Sequence, residues 1–404
     1  MDIKPAIFVV LMGLLTTSEL AAQQIPLTSL PPRLPVIGTN GNEIFVEILL
    51  APGIRAVERE WVMLVNADQR QMLMREAPTL MQFLDEMLPF ATLNSFLLKF
   101  RVPAEIDTES AVMELVPEPL RQYIDRNHVY SAQAARPDPQ SSLLPLPMTS
   151  VCETNISVGM IDSAVRVDHP AFSSSQHKPK LVTHAFIDQD LPETSGHGTA
   201  VAGVMIGMGE GLQPLLPNAT LYSASVVYAQ DAYNQGASVF NLLQALDWLV
   251  VEPSLQVINI SMTGPANRLL QQGVAGALRY GKVIVAAAGN EGPFAQPLYP
   301  AAYDGVIAAT AVTVDGSIYR WANQGDHIGF AAFGVSVPTA RGDGTIGRES
   351  GTSMAAPVIS AFVACELSRQ QGNVTRALDS LRSRALDMGA PGRDPVYGHG
   401  LLHP

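Results

Sequence analysis

Gly351-Thr352-Ser353-Met354-Ala355-Ala356-Pro357 places a serine where a glycine-led turn passes into the apolar run Val358-Ile359-Ser360-Ala361-Phe362-Val363-Ala364. The pattern predicts a helix whose first turn holds Ser353. That turn carries backbone N–H groups without intrahelical partners, and they favour negative charge. Such surroundings suit a nucleophile whose attack creates an oxyanion. A serine here also serves as an ordinary helix cap, and the stretch alone does not separate the two roles.

Three upstream segments bear on the choice. Ile156-Ser157-Val158-Gly159-Met160-Ile161-Asp162-Ser163 reads as a short buried strand delivering an aspartate at its C-terminal end, where open α/β sheets build their sites. Ser195-Gly196-His197-Gly198-Thr199-Ala200-Val201-Ala202-Gly203 sets a histidine between two glycines, opening a run of residues small enough for a closely packed helix. Val283-Ile284-Val285-Ala286-Ala287-Ala288-Gly289-Asn290 is another buried strand, ending in an asparagine whose amide N–H can face a developing oxyanion. Asp162 alone reads as a cap, His197 as a surface histidine and Asn290 as a turn residue. Their joint presence reverses those readings.

With these segments in this order, the chain resembles the subtilisin-like serine proteases (subtilases) from about Cys152 to its C-terminus. The resemblance implies an Asp162, His197, Ser353 triad, with Asn290 and the Ser353 backbone N–H as the oxyanion hole. Chemistry gives the same roles: a serine hydroxyl needs a base, and neutral imidazole suits that near neutral pH. Val257-Ile258-Asn259-Ile260-Ser261-Met262-Thr263-Gly264 matches the family strand that pairs with the substrate backbone. Ser261, Met262, Thr263 and Gly264, with Ala288 and Gly289, are therefore the expected substrate-binding residues, and the absence of an acidic group among them argues against a preference for Lys or Arg. Leu298 stands where the family often has a small pocket-floor residue. Further departures are Ala164 after Asp162-Ser163, Ala200 in place of a second histidine, and Phe333 in place of a proline.

Other chemistries lack their motifs. The sequence has no Gly-x-Ser-x-Gly, His-Glu-x-x-His, Cys-x-x-Cys or EF-hand pattern, so no metal ligand set and no cofactor is expected. A formal charge of −12 argues against nucleic acid or an anionic membrane as partner. Protein or peptide substrates are the expected partners.

The expected fold is α/β, a mainly parallel central sheet with helices on both faces, preceded by a small α+β domain. Residues 1–22 resemble a secretory signal, with an uncleaved anchor as the alternative; the expected location is secreted or periplasmic. Residues 23–42 read as a flexible segment, 43–130 as a propeptide-like α+β domain, 131–149 as a Pro/Ser-rich linker and 150–404 as the catalytic domain. Within 43–130 the pattern predicts strands at 44–49 and 96–102, a helix over 67–87, a short helix over 108–115 and an extended end over 123–130. The resemblance makes this domain an intramolecular inhibitor of its own cleft; an unrelated α+β domain is the alternative. Export makes a Cys152–Cys365 disulfide chemically possible, whereas Cys365 in an apolar helix also reads as a small hydrophobe. Open function classes are a broad endopeptidase, a dedicated processing protease and a catalytically silent scaffold.

Overall fold

A computed structural model describes residues 32–132, 146–173, 179–231 and 234–403. The N-terminal unit runs β1 (Arg33–Ile37), β2 (Glu43–Ala51), β3 (Ile54–Val65), α1 (Ala67–Glu76), α2 (Pro78–Met81), β4 (Leu84–Phe90), β5 (Ser95–Arg101), α3 (Glu109–Leu115) and β6 (Ile124–Ala132). Asn66 starts α1 through a reciprocal capping box with Gln69, and Thr108 caps α3. Along β3 the side chains alternate in the strand period. Trp61 and Met63 pack with Leu73, Leu80 and Leu120 under the helices, whereas Val62 and Leu64 face the following region.

That region continues with β7 (Ser157–Asp162), α4 (Pro170–Ser173), β8 (Lys180–Ala185), α5 (Gly196–Ile206), β9 (Thr220–Ser225), β10 (Tyr228–Ala229), β11 (Gln235–Ser238), α6 (Val239–Val250), β12 (Leu255–Ile260), β13 (Met262–Thr263) and α7 (Arg268–Arg279). It ends with β14 (Val283–Ala287), β15 (Ile307–Val312), β16 (Ile328–Phe333), β17 (Val337–Ala340), β18 (Ile346–Glu349), α8 (Thr352–Arg369) and α9 (Val374–Arg384). Seven strands form a parallel sheet in the order β16-β15-β14-β12-β7-β9-β8. Val257, Val283 and Val285 point to the face covered by α5 and α8, while Ile258, Ile284 and Ala286 point to the face covered by α6 and α7. Burial on both faces explains why these strands read as continuous apolar runs. Cys152 and Cys365 form a disulfide that ties the start of this region to α8.

The two regions share an antiparallel sheet. β6 lies between β3 and β11, and its end also pairs with β13. Side chains of the N-terminal unit serve the helices beneath it. Asn127 accepts from the Phe240 N–H at the start of α6 (3.1 Å), and Asp125 accepts from the Arg268 N–H at the start of α7 (2.9 Å).

Several local expectations need correction. The helix expected over 67–87 ends by Met81, and Leu84–Phe90 is a strand pairing with β5, because its alternate residues find a cross-strand partner there. Arg33–Ile37, expected to be part of a flexible segment, is a strand paired with β2. The long strand Ile54–Val65 was not anticipated: its mixed polar and apolar residues conceal alternation between two different buried faces. Residues 1–22 lie outside the described residues, as does 133–145, most of the expected linker.

Candidate active site

Asp162 closes β7 and is fully buried. Its Oδ1 accepts from the Ser163 N–H (2.7 Å) and faces His197 Nδ1 at 2.8 Å. His197 lies in the first turn of α5, which approaches the end of β7 closely because Gly198 has no side chain: a Cβ there would collide with the Ser163 carbonyl. The Gly198 N–H donates to Ser163 Oγ (2.7 Å), which fixes the helix start. Burial opposes a charged imidazole, but the Asp162 carboxylate outweighs it and holds the His197 pKa above the ordinary histidine value. His197 Nε2 is buried and has no hydrogen-bond partner.

Ser353 is the second residue of α8. Its carbonyl accepts from Ser261 Oγ (3.1 Å), which in turn accepts from Asn259 Nδ2 (2.9 Å), while Ser360 Oγ donates to Asn259 Oδ1 (3.0 Å). This buried chain ties α8 to β12. Asn290, beyond the end of β14, is oriented by Thr352: its Oδ1 accepts from the Thr352 N–H (3.0 Å) and Thr352 Oγ1 (3.1 Å). A backbone N–H can only donate, so the amide oxygen is assigned and Nδ2 must face away. Asn290 Nδ2 is likewise buried and unpartnered. A Cβ placed on Gly351 would lie 3.0 Å from Asn290 Nδ2 and 3.3 Å from Ser353 Oγ, so both groups border one small space. Buried polar atoms without partners are uncommon; here Nε2 and Nδ2, a proton acceptor and a donor, remain unused, as does Asp162 Oδ2.

Of the expected substrate-binding residues, Met262 and Thr263 form β13. Ser131 and Ala132 of β6 pair with Thr263 and Met262, so the chain's own extended segment lies along β13. Gly264 admits the ring of Tyr130, which any Cβ there would strike. Tyr130 is 1% exposed, packs among Ile161, Leu246, Met262 and Leu270, and donates its hydroxyl to the Pro265 carbonyl (2.6 Å). Ala288 is buried, and its N–H pairs with the Ala309 carbonyl (3.0 Å). Gly289, at φ 113°, donates its N–H to Thr352 Oγ1 (3.1 Å). A Cβ on Gly289 would come within 2.8 Å of Leu298 Cδ1, so Leu298 fills the space beside it.

Sequence reading missed Thr352 and Tyr130. Gly-Thr-Ser spacing could have pointed to the former, whereas no local pattern marks the latter. Of the departures noted above, Ala164 is accommodated: the described non-glycine residues with positive φ are Arg59, Asn94, Ser336 and Gln371.

Comparison with known proteins agrees with this architecture. A family model described as "Subtilase family" matches residues 153–400. Minor extracellular protease Epr of Bacillus subtilis is 29% identical over 252 residues, 61% of this chain and 38% of that protein. Subtilisin E of the same organism is 29% identical over 305 residues, covering 73% of this chain and 77% of the relative. Subtilisin DY of Bacillus licheniformis is 31% identical over 259 residues, 62% of this chain and 89% of its own length. A crystal structure of a lanthipeptide protease shares the fold with a TM-score of 0.51 at 24% identity, over 61% of this chain and 85% of that one. With the family model spanning most of the chain, and the parallel sheet and helix placement described above, the chain belongs to the subtilase family of serine peptidases.

Proposed function

We propose that the chain is an exported serine endopeptidase that uses Asp162, His197 and Ser353 with Asn290, and that residues 33–132 block its cleft until they are released. The observation that carries the reading is that His197 Nε2, on the imidazole held by Asp162, and Asn290 Nδ2, beside the start of α8, are both buried and unpartnered. In the proposed reaction Ser353 Oγ attacks the scissile carbonyl as His197 Nε2 takes its proton. Asp162 holds Nδ1 and stabilises the imidazolium. The carbonyl oxygen becomes an oxyanion, accepting from Asn290 Nδ2 and the Ser353 N–H. Collapse breaks the C–N bond, His197 protonates the departing amine, and water then hydrolyses the acyl-enzyme by the same steps.

Two features support the cleft assignment. β13 accepts an extended strand by main-chain pairing, which gives affinity with little sequence demand. Tyr130 fills an apolar pocket whose rim carbonyl at Pro265 pairs with its hydroxyl. That pocket, together with the space occupied by Leu298, favours a selective enzyme over a wholly unselective one. Export rests on the signal-like residues 1–22, and release on the proline-bearing stretch after Ala132. A tethered strand beside the cleft has a high effective concentration, which falls when the tether is cut.

The test is purification of wild type and Ser353→Ala from a host whose own proteases are blocked, with N-terminal sequencing of both. Wild type should yield a fragment beginning between Ser131 and Cys152, and Ser353→Ala the uncut chain. The released fragment should cleave a mixed peptide library in a manner stopped by a serine-directed phosphonate. An intact, fully active wild-type chain would make residues 33–132 a permanent accessory unit, and no phosphonate-sensitive cleavage would end the endopeptidase reading.

A further inference from the structure

On the far side of β11 from β6, the β1–β2 hairpin makes a second contact with the catalytic region, and a fully buried carboxylate lies at its centre. Glu47 on β2 is 0% exposed. Its Oε1 accepts from Tyr228 Oη (2.9 Å) and Gln230 Nε2 (2.6 Å), and its Oε2 accepts from Gln230 Nε2 (2.6 Å) and Arg55 Nε (3.1 Å). Arg55 belongs to the N-terminal unit, whereas Tyr228 and Gln230 belong to the catalytic region. Apolar contact surrounds the group: Phe45 meets Tyr228 edge-on at 5.2 Å between centroids, and Val36 packs with Leu191 and Ile187. The hairpin tip is held by the Thr39 N–H, which donates to the Asp190 carbonyl (2.8 Å). Gly236 has no side chain where a Cβ would lie 2.9 Å from Gln230 Nε2 and 3.0 Å from the Tyr228 ring, so both donors can reach Glu47.

Burying a carboxylate is costly unless donors surround it. Burial does push the Glu47 carboxyl above its usual range, while Gln230, Tyr228 and Arg55 act in the opposite direction. Arg55 alone would have balanced the charge within the N-terminal unit. The two donors from the other region make the contact selective for an acceptor at that position, and the aromatic contact two residues earlier sets the strand register. From this geometry we infer that the catalytic region carries a peptide-binding site separate from its cleft, built from β10, Gln230 and the loop around Leu191. It takes a β-hairpin strand bearing an aromatic residue and, two positions on, a carboxylate. Its occupant is this chain's own segment 33–51. The site holds the N-terminal unit in place after the connection beyond Ala132 is cut. The inference deepens the reading of residues 33–132 as a releasable inhibitory unit.

The test uses the full chain carrying Ser353→Ala, with a recognition sequence for a site-specific viral protease placed within residues 134–144 and the C-terminus immobilised. After cutting, loss of the N-terminal fragment is followed by surface plasmon resonance. Tyr228→Phe combined with Gln230→Ala should raise the dissociation rate at least tenfold, since each hydrogen bond to a charged group is lost with its partner left buried. Glu47→Gln should do the same. Joining the two changes should add little, because they remove one contact, whereas Tyr130→Ala in the cleft should multiply with either. Rates within threefold of the parent for the Tyr228/Gln230 variant would overturn the site, as would full multiplication with Glu47→Gln. Should Glu47→Gln fail to fold, with Arg55 deprived of its counter-charge, the Tyr228/Gln230 variant decides alone. No hydrolysis is involved, so the result is independent of whether the chain is an endopeptidase.

Discussion

Replacing Asn290 by alanine separates the proposed catalytic work of this side chain from its structural work. The side chain has two ends with different partners. Oδ1 accepts from the Thr352 N–H and Thr352 Oγ1, and Thr352 is fully buried. Truncation therefore leaves a buried N–H without an acceptor, a loss of about 1–3 kcal/mol in stability. Thr352 Oγ1 still accepts from the Gly289 N–H (3.1 Å), which keeps the estimate toward the lower end. Nδ2 has no ground-state partner, so its removal should leave KM nearly unchanged and act on the transition state alone. Loss of one oxyanion donor lowers kcat by about 10²- to 10³-fold, a magnitude taken from measurements in this family rather than from this chain. The assay is hydrolysis of a chromogenic peptide by the released enzyme at a temperature well below the melting transition of both proteins, with melting followed separately. A rise in KM with unchanged kcat would refute the argument, because Asn290 would then be binding the ground state. So would a kcat loss no larger than the loss of folded protein.

Ser353→Ala should retain the melting temperature within a few degrees and lose about 10⁴-fold or more in kcat, checked by calorimetry and peptide hydrolysis. Activity should fall on acidification: His197 must be neutral to accept a proton, and Asp162 raises its pKa, so the acid limb of kcat/KM should have its midpoint above about 6.5. Asp162→Asn should move that limb to lower pH and reduce kcat by about 10⁴-fold; a rate maximum near pH 4 in the parent would contradict the mechanism. Leu298→Gly should open the space beside Gly289 and shift kcat/KM toward substrates with larger side chains on the acyl side of the cut, measured with a series from alanine to phenylalanine. Replacing both Cys152 and Cys365 by serine should lower stability by about 2–4 kcal/mol in denaturant titration, since the bridge closes a long loop.

The catalytic half was legible because its signals are local. An apolar run buried on both faces announces a parallel strand, and Asp162 and Asn290 stand where such strands end. Gly198 and the Gly351–Ser353 turn likewise declare close packing and a helix start within a few residues. The N-terminal half was legible only in outline. Leu84–Phe90 carries helix-compatible residues, and only β5 alongside makes it a strand.

The sequence by itself determined the parallel sheet, the order of the segments that carry the candidate triad, and the chemistry those side chains can perform. Only tertiary structure decided which nitrogen of His197 meets Asp162, that Thr352 turns the Asn290 amide, and that Leu298 closes on Gly289. It alone placed Tyr130 against Gly264 and Glu47 between Tyr228 and Gln230, over 100 residues away in the chain. Periodicity reports which face of an element is buried, because burial follows from the residue's own hydrophobicity. It carries no information on which distant group meets that face, since hydrogen bonds and close contacts depend on the geometry of both partners.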